Sequence, residues 1–266
     1  MSQDIVTIRR QMHQVSSMLR QGKMVPSVTA VIAGVRLVVT TPLMKAEKSE
    51  MTDIIKEALS YLNNDRELRK LYPLELICAA GEEKKLLDDL QELLATLNEQ
   101  AVSDAGELLR AAAEKKQASL AAGQGYLDAK QFDEARSVFT AISNEFPDDG
   151  ELKGVIGQKV LAAGLYEDAA GYLASAVEIN PQALNLYNHL AIALRKLGRF
   201  DVAEGYYMKA LPMAPNDPYL LFNIGRLYLE WSKWDKAAEF GEKALKAQPD
   251  FAEANKLVLF AQKKIG

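Results

Sequence analysis

The residues that could do catalytic or metal chemistry are few and far apart in this chain of 266 residues. There is one cysteine, Cys78, and there are two histidines, His13 and His189. A disulfide or a zinc site needs several such residues at short spacing, so neither is predicted. Cys78 lies in a mostly apolar run over 74–78, where a lone cysteine is usually a small core residue. We therefore predict no metal and no catalytic thiol.

Sequence motifs of known enzymes are also missing. Gly-Gln-Gly at 123–125 lacks the rest of a phosphate-binding loop and falls inside a predicted helix. No Gly-x-Ser-x-Gly elbow occurs. The adjacent acids at 82–83 and 88–89 are interpreted as solvated helix faces. The sequence thus predicts a protein that is not an enzyme and uses no cofactor.

Charge and hydropathy argue against two further classes. The formal net charge of -4 disfavours a general nucleic-acid binder, because phosphate binding needs a basic surplus. The longest apolar stretch, 28–39, contains Arg36 and is too short to span a bilayer. The first residues are polar and do not resemble a signal peptide. We expect a cytoplasmic protein with no nucleic-acid partner and no membrane insertion.

A repeat predicts the elements that must position any functional side chain. Four prolines, each after an alanine-rich apolar stretch, stand 34 residues apart. They are Pro147, Pro181, Pro215 and Pro249. Alignment on the prolines gives the frames 116–149, 150–183, 184–217 and 218–251.

The same residue types recur within each frame. Small residues at the middle of a first helix let the paired helix approach closely. They are Gly123, Gly157, Ala191 and Gly225. The following turn favours a left-handed residue and contains Lys130, Gly164, Gly198 or Ser232. Four acids are predicted to cap the second helix, at Asp133, Asp168, Asp201 and Asp235. Further along, a large residue is Phe139, Leu173 or Tyr207, whereas the fourth frame has Gly241.

This pattern resembles the tetratricopeptide-repeat (TPR) family over residues 116–266. The resemblance implies an all-α fold, a right-handed superhelical solenoid of four helical hairpins. The amphipathic segment 252–264 is predicted to be a capping helix. We expect a TPR domain at 111–266 and a helical N-terminal region at 1–110.

The N-terminal region is predicted to be helical without a clear family. Residues 5–41 are similar to a TPR hairpin with Gly22 at the turn, and either a degenerate repeat or an ordinary helical hairpin fits them. Three further helices are predicted, at 46–63, 81–99 and 103–130, with a short turn at 65–70 and an extended connector at 74–78.

The family resemblance implies a concave surface lined by the second, fifth, sixth, ninth, twelfth and thirteenth positions of each frame. Amide, aromatic and arginine side chains become more frequent there toward the last two frames. Amides can pair with a peptide backbone, rings offer flat apolar area, and arginines attract carboxylates. The predicted partner-binding residues are Asn185, Asn188, His189, Arg195, Tyr219, Phe222, Asn223 and Arg226.

The function predicted from these features is that of a protein-interaction adaptor, with a protein or peptide segment bound in the concave groove. The matching positions do not fit the lysine and asparagine clamp by which some TPR domains hold chaperone tails. Two alternatives stay open. One is an assembly component that self-associates into a homo-oligomer through its N-terminal helices or end repeats, and the other is a secretion-type chaperone.

Overall fold

A computed structural model describes residues 3–266, apart from the side chains of residues 3 and 4. Residues 1–2 of the predicted N-terminal region therefore lie outside the described residues. All regular elements within 3–266 are helices. The contacts divide the chain into an N-terminal unit that ends at Ala111 and a C-terminal unit that begins at Ala112. No helix in this described range is long and apolar enough to cross a membrane.

The N-terminal unit is built around an apolar third helix. Its first helices are α1 (Gln3–His13), α2 (Val15–Arg20), α3 (Met24–Thr40), α4 (Lys45–Asn64) and α5 (Arg66–Leu71). Helix α3 packs against α1, α2 and α4. Gly34 lets α3 approach the side chain of Met12 closely. The predicted turn is present at Gly22, whose φ is 71°, and the α3 that follows it buries Val28 and Val31 completely.

Two predictions for the N-terminal unit were wrong. The segment 65–70 is not a turn but lies mostly in α5, which Asp65 caps by accepting hydrogen bonds from the backbone N–H groups of Glu67 and Leu68, both at 3.0 Å. The helices predicted at 81–99 and 103–130 are one helix, α6 (Glu83–Asp128). Their supposed junction contains no glycine or proline, so nothing there ends a helix.

The C-terminal unit consists of helical hairpins. The last part of α6 is the first helix of the first hairpin. The remaining helices are α7 (Phe132–Glu145), α8 (Gly150–Ala162), α9 (Tyr166–Ile179), α10 (Leu184–Lys196), α11 (Phe200–Ala210), α12 (Pro218–Glu230), α13 (Trp234–Ala247) and α14 (Ala252–Ile265). A 3-10 turn, Leu211–Met213, follows α11. The predicted solenoid of four hairpins with a final helix is confirmed.

The four turns between paired helices share one backbone conformation. The residue at the turn has a φ of 58° at Lys130, 81° at Gly164, 73° at Gly198 and 60° at Ser232. Glycine adopts this left-handed conformation freely, whereas it costs other residues about 1–2 kcal/mol. The repeat therefore keeps the turn geometry even where it lacks the glycine.

Close packing within the hairpins explains the recurrent small residues. The alanines near the start of each second helix are completely buried, at Ala135, Ala169, Ala203 and Ala237. A Cβ on Gly123 would overlap the Phe139 ring. The exception at Gly241 is also explained, because a Cβ there would lie 2.6 Å from Cγ2 of Val258. Helix α14 thus fills the volume that a large side chain fills in the other frames.

The predicted placement of four aspartates at the start of the second helices is confirmed, but their predicted role as caps was wrong. Asp133, Asp168, Asp201 and Asp235 lie in the first helical turn, but the N-cap residues of these helices accept no side-chain hydrogen bond. Asp168 instead accepts a hydrogen bond from Nε of Arg136 at 2.9 Å. Among the repeats, Asp149 and Asp217 do cap, at the first helices α8 and α12.

Candidate partner-binding groove

Side-chain hydrogen bonds join neighbouring first helices of the C-terminal unit. Nζ of Lys159 donates to Oε1 of Gln124 at 3.0 Å, and Nδ2 of Asn223 donates to Oδ1 of Asn188 at 3.1 Å. The members of each pair are 35 residues apart, one repeat and one residue. Neighbouring first helices therefore lie side by side. We call the surface that their inward positions form the groove.

An aromatic row dominates the groove at its last repeat. Tyr219 and Phe222 project from α12 toward Phe251, with ring centroids 5.3 Å and 4.9 Å from the Phe251 ring. Phe251 is buried at the N-cap position of α14, so its ring is held in place by the fold. Tyr219 remains 60% exposed, whereas Phe222 is half-buried. The row thus presents an accessible ring on a rigid base.

The two arginines predicted for the site have different environments. Arg195 is only 2% exposed, and its guanidinium donates to the carboxylate of Glu230 on the next first helix. The guanidinium of Arg226 lies 5.7 Å from the centre of the Phe222 ring and forms no ion pair within the described residues. Arg226 therefore keeps its charge available, while Arg195 holds two repeats together.

The amides of the groove are partly used by each other. Asn188 and Asn223 are both half-buried and share one hydrogen bond. An asparagine amide has two donor hydrogens and an acceptor oxygen, so this pair keeps capacity for a peptide group. Asn185 is exposed in the first turn of α10. These three predicted residues lie on adjoining helices.

His189 and Tyr207 contribute buried polar atoms near the groove. Burial lowers the pKa of His189, and the Asn185 backbone opposes this in part, so the imidazole is neutral at pH 7. Burial raises the pKa of Tyr207 to about 12. The Tyr207 hydroxyl lies near Arg195 but completes no hydrogen bond with any described residue, and Nδ1 of His189 also has none. Tyr207 was not among the predicted site residues.

A pocket in the first two repeats was missed by the sequence analysis. It has a volume of 520 Å³ and an apolar lining that includes Leu120, Ala121 and Val155. Lys116 and Asp149 border it and form an ion pair at 2.5 Å. All three apolar residues stand at predicted inward positions. The small side chain of Ala121 was therefore the one sequence feature that could have indicated a pocket between these helices.

The residues outside the groove that could do chemistry do not converge. Burial raises the pKa of the Cys78 thiol, which keeps it protonated and unreactive at neutral pH. Nowhere in the described part of the chain do three histidine, cysteine or acidic side chains come together in a metal-binding group.

Two models of the tetratricopeptide-repeat family match this unit. One covers residues 120–183 and the other residues 182–250. Residues 120–250 are tetratricopeptide repeats. TPR arrays act in general as non-enzymatic protein-interaction modules, so the match supports an interaction role for this unit.

Individual proteins similar to the chain carry such repeats. Over 100 residues it is 27% identical to anaphase-promoting complex subunit 3 of Schizosaccharomyces pombe, which is 38% of this chain and 14% of that protein. The chain thus spans a small part of that relative's length. The crystal structure of MamA protein shares the fold with a TM-score of 0.51 and 21% identity, over 58% of this chain and 84% of MamA. The Arabidopsis OM64 TPR domain has a TM-score of 0.41 and 20% identity, over 43% and 94% of the two chains.

Proposed function

We propose that this protein is an adaptor that binds a segment of another protein in the groove of its third and fourth TPR repeats. The observation that carries the proposal is the row of Tyr219, Phe222 and Arg226 along α12. This row combines an exposed ring with a guanidinium that forms no ion pair among the described residues. Tyrosine and arginine are the residue types that most often dominate protein interfaces.

The chemistry of the row favours an extended segment with an apolar residue and an acid. An apolar side chain can rest on the rings of Tyr219 and Phe222, while an acid pairs with Arg226. The Asn188 and Asn223 amides can hydrogen-bond the backbone of the segment. Arg195, fixed by Glu230, is assigned a positioning role that keeps α10 and α12 in register. Asn185 and His189, at the second and sixth positions of the third frame, are assigned to the same site.

The test is binding of the partner captured from the native cell lysate to matched variants. Tyr219→Ala and Arg226→Gln are expected to weaken the affinity by about 30-fold or more if each is a true anchor. The controls are Leu259→Ala and Arg199→Gln, which remove an equally exposed apolar side chain and an arginine outside the groove. Melting curves must be unchanged. Full affinity of both groove variants would contradict the proposal and direct attention to the N-terminal unit.

One observation favours self-association as a second candidate function. In the N-terminal unit, α6 exposes Val102, Leu108 and Leu109, each at 73%. Val102 and Leu109 are seven residues apart and share one face of α6, an arrangement typical of a helix that pairs with another helix. Sedimentation at several concentrations tests this, with Leu109→Glu expected to keep the chain monomeric. A concentration-independent monomer in the parent chain would rule this candidate out.

A further inference from the structure

The third repeat departs from the regular pattern at the end of its second helix. Pro212 occupies the position that Asn144, Glu178 and Lys246 occupy in the other frames, and all three of those residues are helical. Proline has no N–H to continue a helix. Helix α11 therefore has 11 residues where α7, α9 and α13 have 14, and the chain continues in the 3-10 turn Leu211–Met213.

A cavity of 420 Å³ lies between this turn and the last hairpin. Its floor is formed by Leu221 and Phe240, which are both buried, and by the half-buried Leu211. Lys243 and Lys246 of α13 stand at its rim. None of these five residues occupies an inward position of a frame. The cavity is therefore separate from the groove.

The charge of the cavity lining is one-sided, because it contains two lysines and no acid. Lys243 forms an exposed ion pair with Glu239 at 2.6 Å, an arrangement that contributes little in water. Its Nζ also lies 4.5 Å from the centre of the Phe240 ring. Lys246 forms no ion pair within residues 3–266. Asp217, close by in sequence, is engaged as the cap of α12. The apolar floor can bind an apolar side chain of a ligand. The ammonium group of Lys246 at the rim can pair with a carboxylate next to that side chain.

We propose that this cavity is a second docking site, which binds a partner-protein segment where an aromatic residue adjoins an aspartate or glutamate. The aromatic ring packs on Leu221 and Phe240, and the neighbouring carboxylate pairs with Lys246. A volume of 420 Å³ accommodates such a side chain together with part of its backbone. The site depends on Pro212, since a regular second helix would continue through the place of the turn.

The experiment titrates the full isotopically labelled chain with two capped dipeptides, N-acetyl-Glu-Phe-amide and N-acetyl-Gln-Phe-amide, and follows backbone amide shifts by NMR. The glutamate dipeptide is expected to shift the amides of Leu211 and Lys246 and to bind about threefold more tightly than its glutamine counterpart. Lys246→Glu should abolish that preference, and the control Lys256→Glu, an exposed lysine on α14, should preserve it.

Two further measurements separate the cavity from the groove. Pro212→Ala should weaken binding of both dipeptides as followed by the amides of Leu211 and Lys246, while Tyr219→Ala should leave the affinities read at these two amides unchanged. Equal affinity of the two dipeptides for the parent chain would overturn the proposal. So would an absence of shifts at the cavity, or shifts confined to the groove around Tyr219.

Discussion

The first and the last repeat meet the same packing requirement in different ways. In the first, Gly123 on the first helix faces the ring of Phe139 on the second. In the last, a Cβ on Gly225 would lie 3.4 Å from the backbone nitrogen of Gly241, and the volume is filled by Leu257 and Val258 of the following helix. The repeat pattern thus predicts where the two helices of a hairpin approach each other. Which side chain fills the space at that point depends on the packing, since it comes from the hairpin itself in the first repeat and from α14 in the last.

The largest expected loss of stability comes from removing the ring of Phe139, which fills the space next to Gly123 in the first repeat. Phe139→Ala should lower the free energy of unfolding by about 3–5 kcal/mol, because Phe139 is completely buried and the facing Gly123 has no side chain to fill the cavity. Chemical unfolding of the full chain measures it. The control Phe260→Ala removes a ring that is half exposed and should cost much less. Equal losses for the two variants would mean that Phe139 does not support the crossing.

A smaller effect tests the last repeat directly. Gly241→Leu would give this repeat the large residue that Leu173 provides in the second, but Val258 and Leu257 already occupy the space. Overpacking should therefore lower the free energy of unfolding by about 1–3 kcal/mol. The same unfolding measurement applies, with Gly205→Leu as a control, because a Cβ at Gly205 meets nothing within 4 Å. A more stable Gly241→Leu variant would show that empty space remains between α13 and α14 at Gly241.

The smallest effect concerns the hydroxyl that distinguishes the third repeat. Tyr207 stands where Phe139 and Leu173 stand, and its buried hydroxyl has no hydrogen-bond partner in the described part of the chain. Tyr207→Phe should therefore change the free energy of unfolding by less than about 1 kcal/mol at pH 8.

The Tyr207 hydroxyl should have a larger effect on the free energy of unfolding at alkaline pH. Because the folded pKa of Tyr207 is raised to about 12, the unfolded chain ionises first, and stability present below pH 10 is lost as the pH rises toward 12. The parent chain should thus lose more stability between pH 8 and pH 11 than Tyr207→Phe does. Identical losses would place Tyr207 in a solvated setting.

The sequence predicted the periodic features of the fold well. A 34-residue period places turns, small residues and helix ends by local rules, and even Lys130 and Ser232 adopt the left-handed turn. Helical spacing likewise predicted that Tyr219, Phe222 and Arg226 share a face. The N-terminal unit has no such period, and the continuity of α6 was missed there.

The unpredicted parts of the site depend on how neighbouring helices stack. The hydrogen bond between Asn188 and Asn223 and the ion pair between Arg195 and Glu230 each join residues 35 apart. Spacing within one helix carries no information about such pairs. They determine which predicted side chains remain available, because Arg195 is held by Glu230 whereas Arg226 forms no ion pair with any residue that the structure describes.

Site-specific photocrosslinking tests the central claim, partner binding in the groove, most directly. A photoreactive phenylalanine analogue would replace Tyr219 in one protein and the equally exposed Leu259 of α14 in another. After illumination with the captured partner, we predict a covalent adduct through position 219 and none through position 259. Crosslinking through position 259 alone, with both proteins folded and partner-bound, would contradict the account.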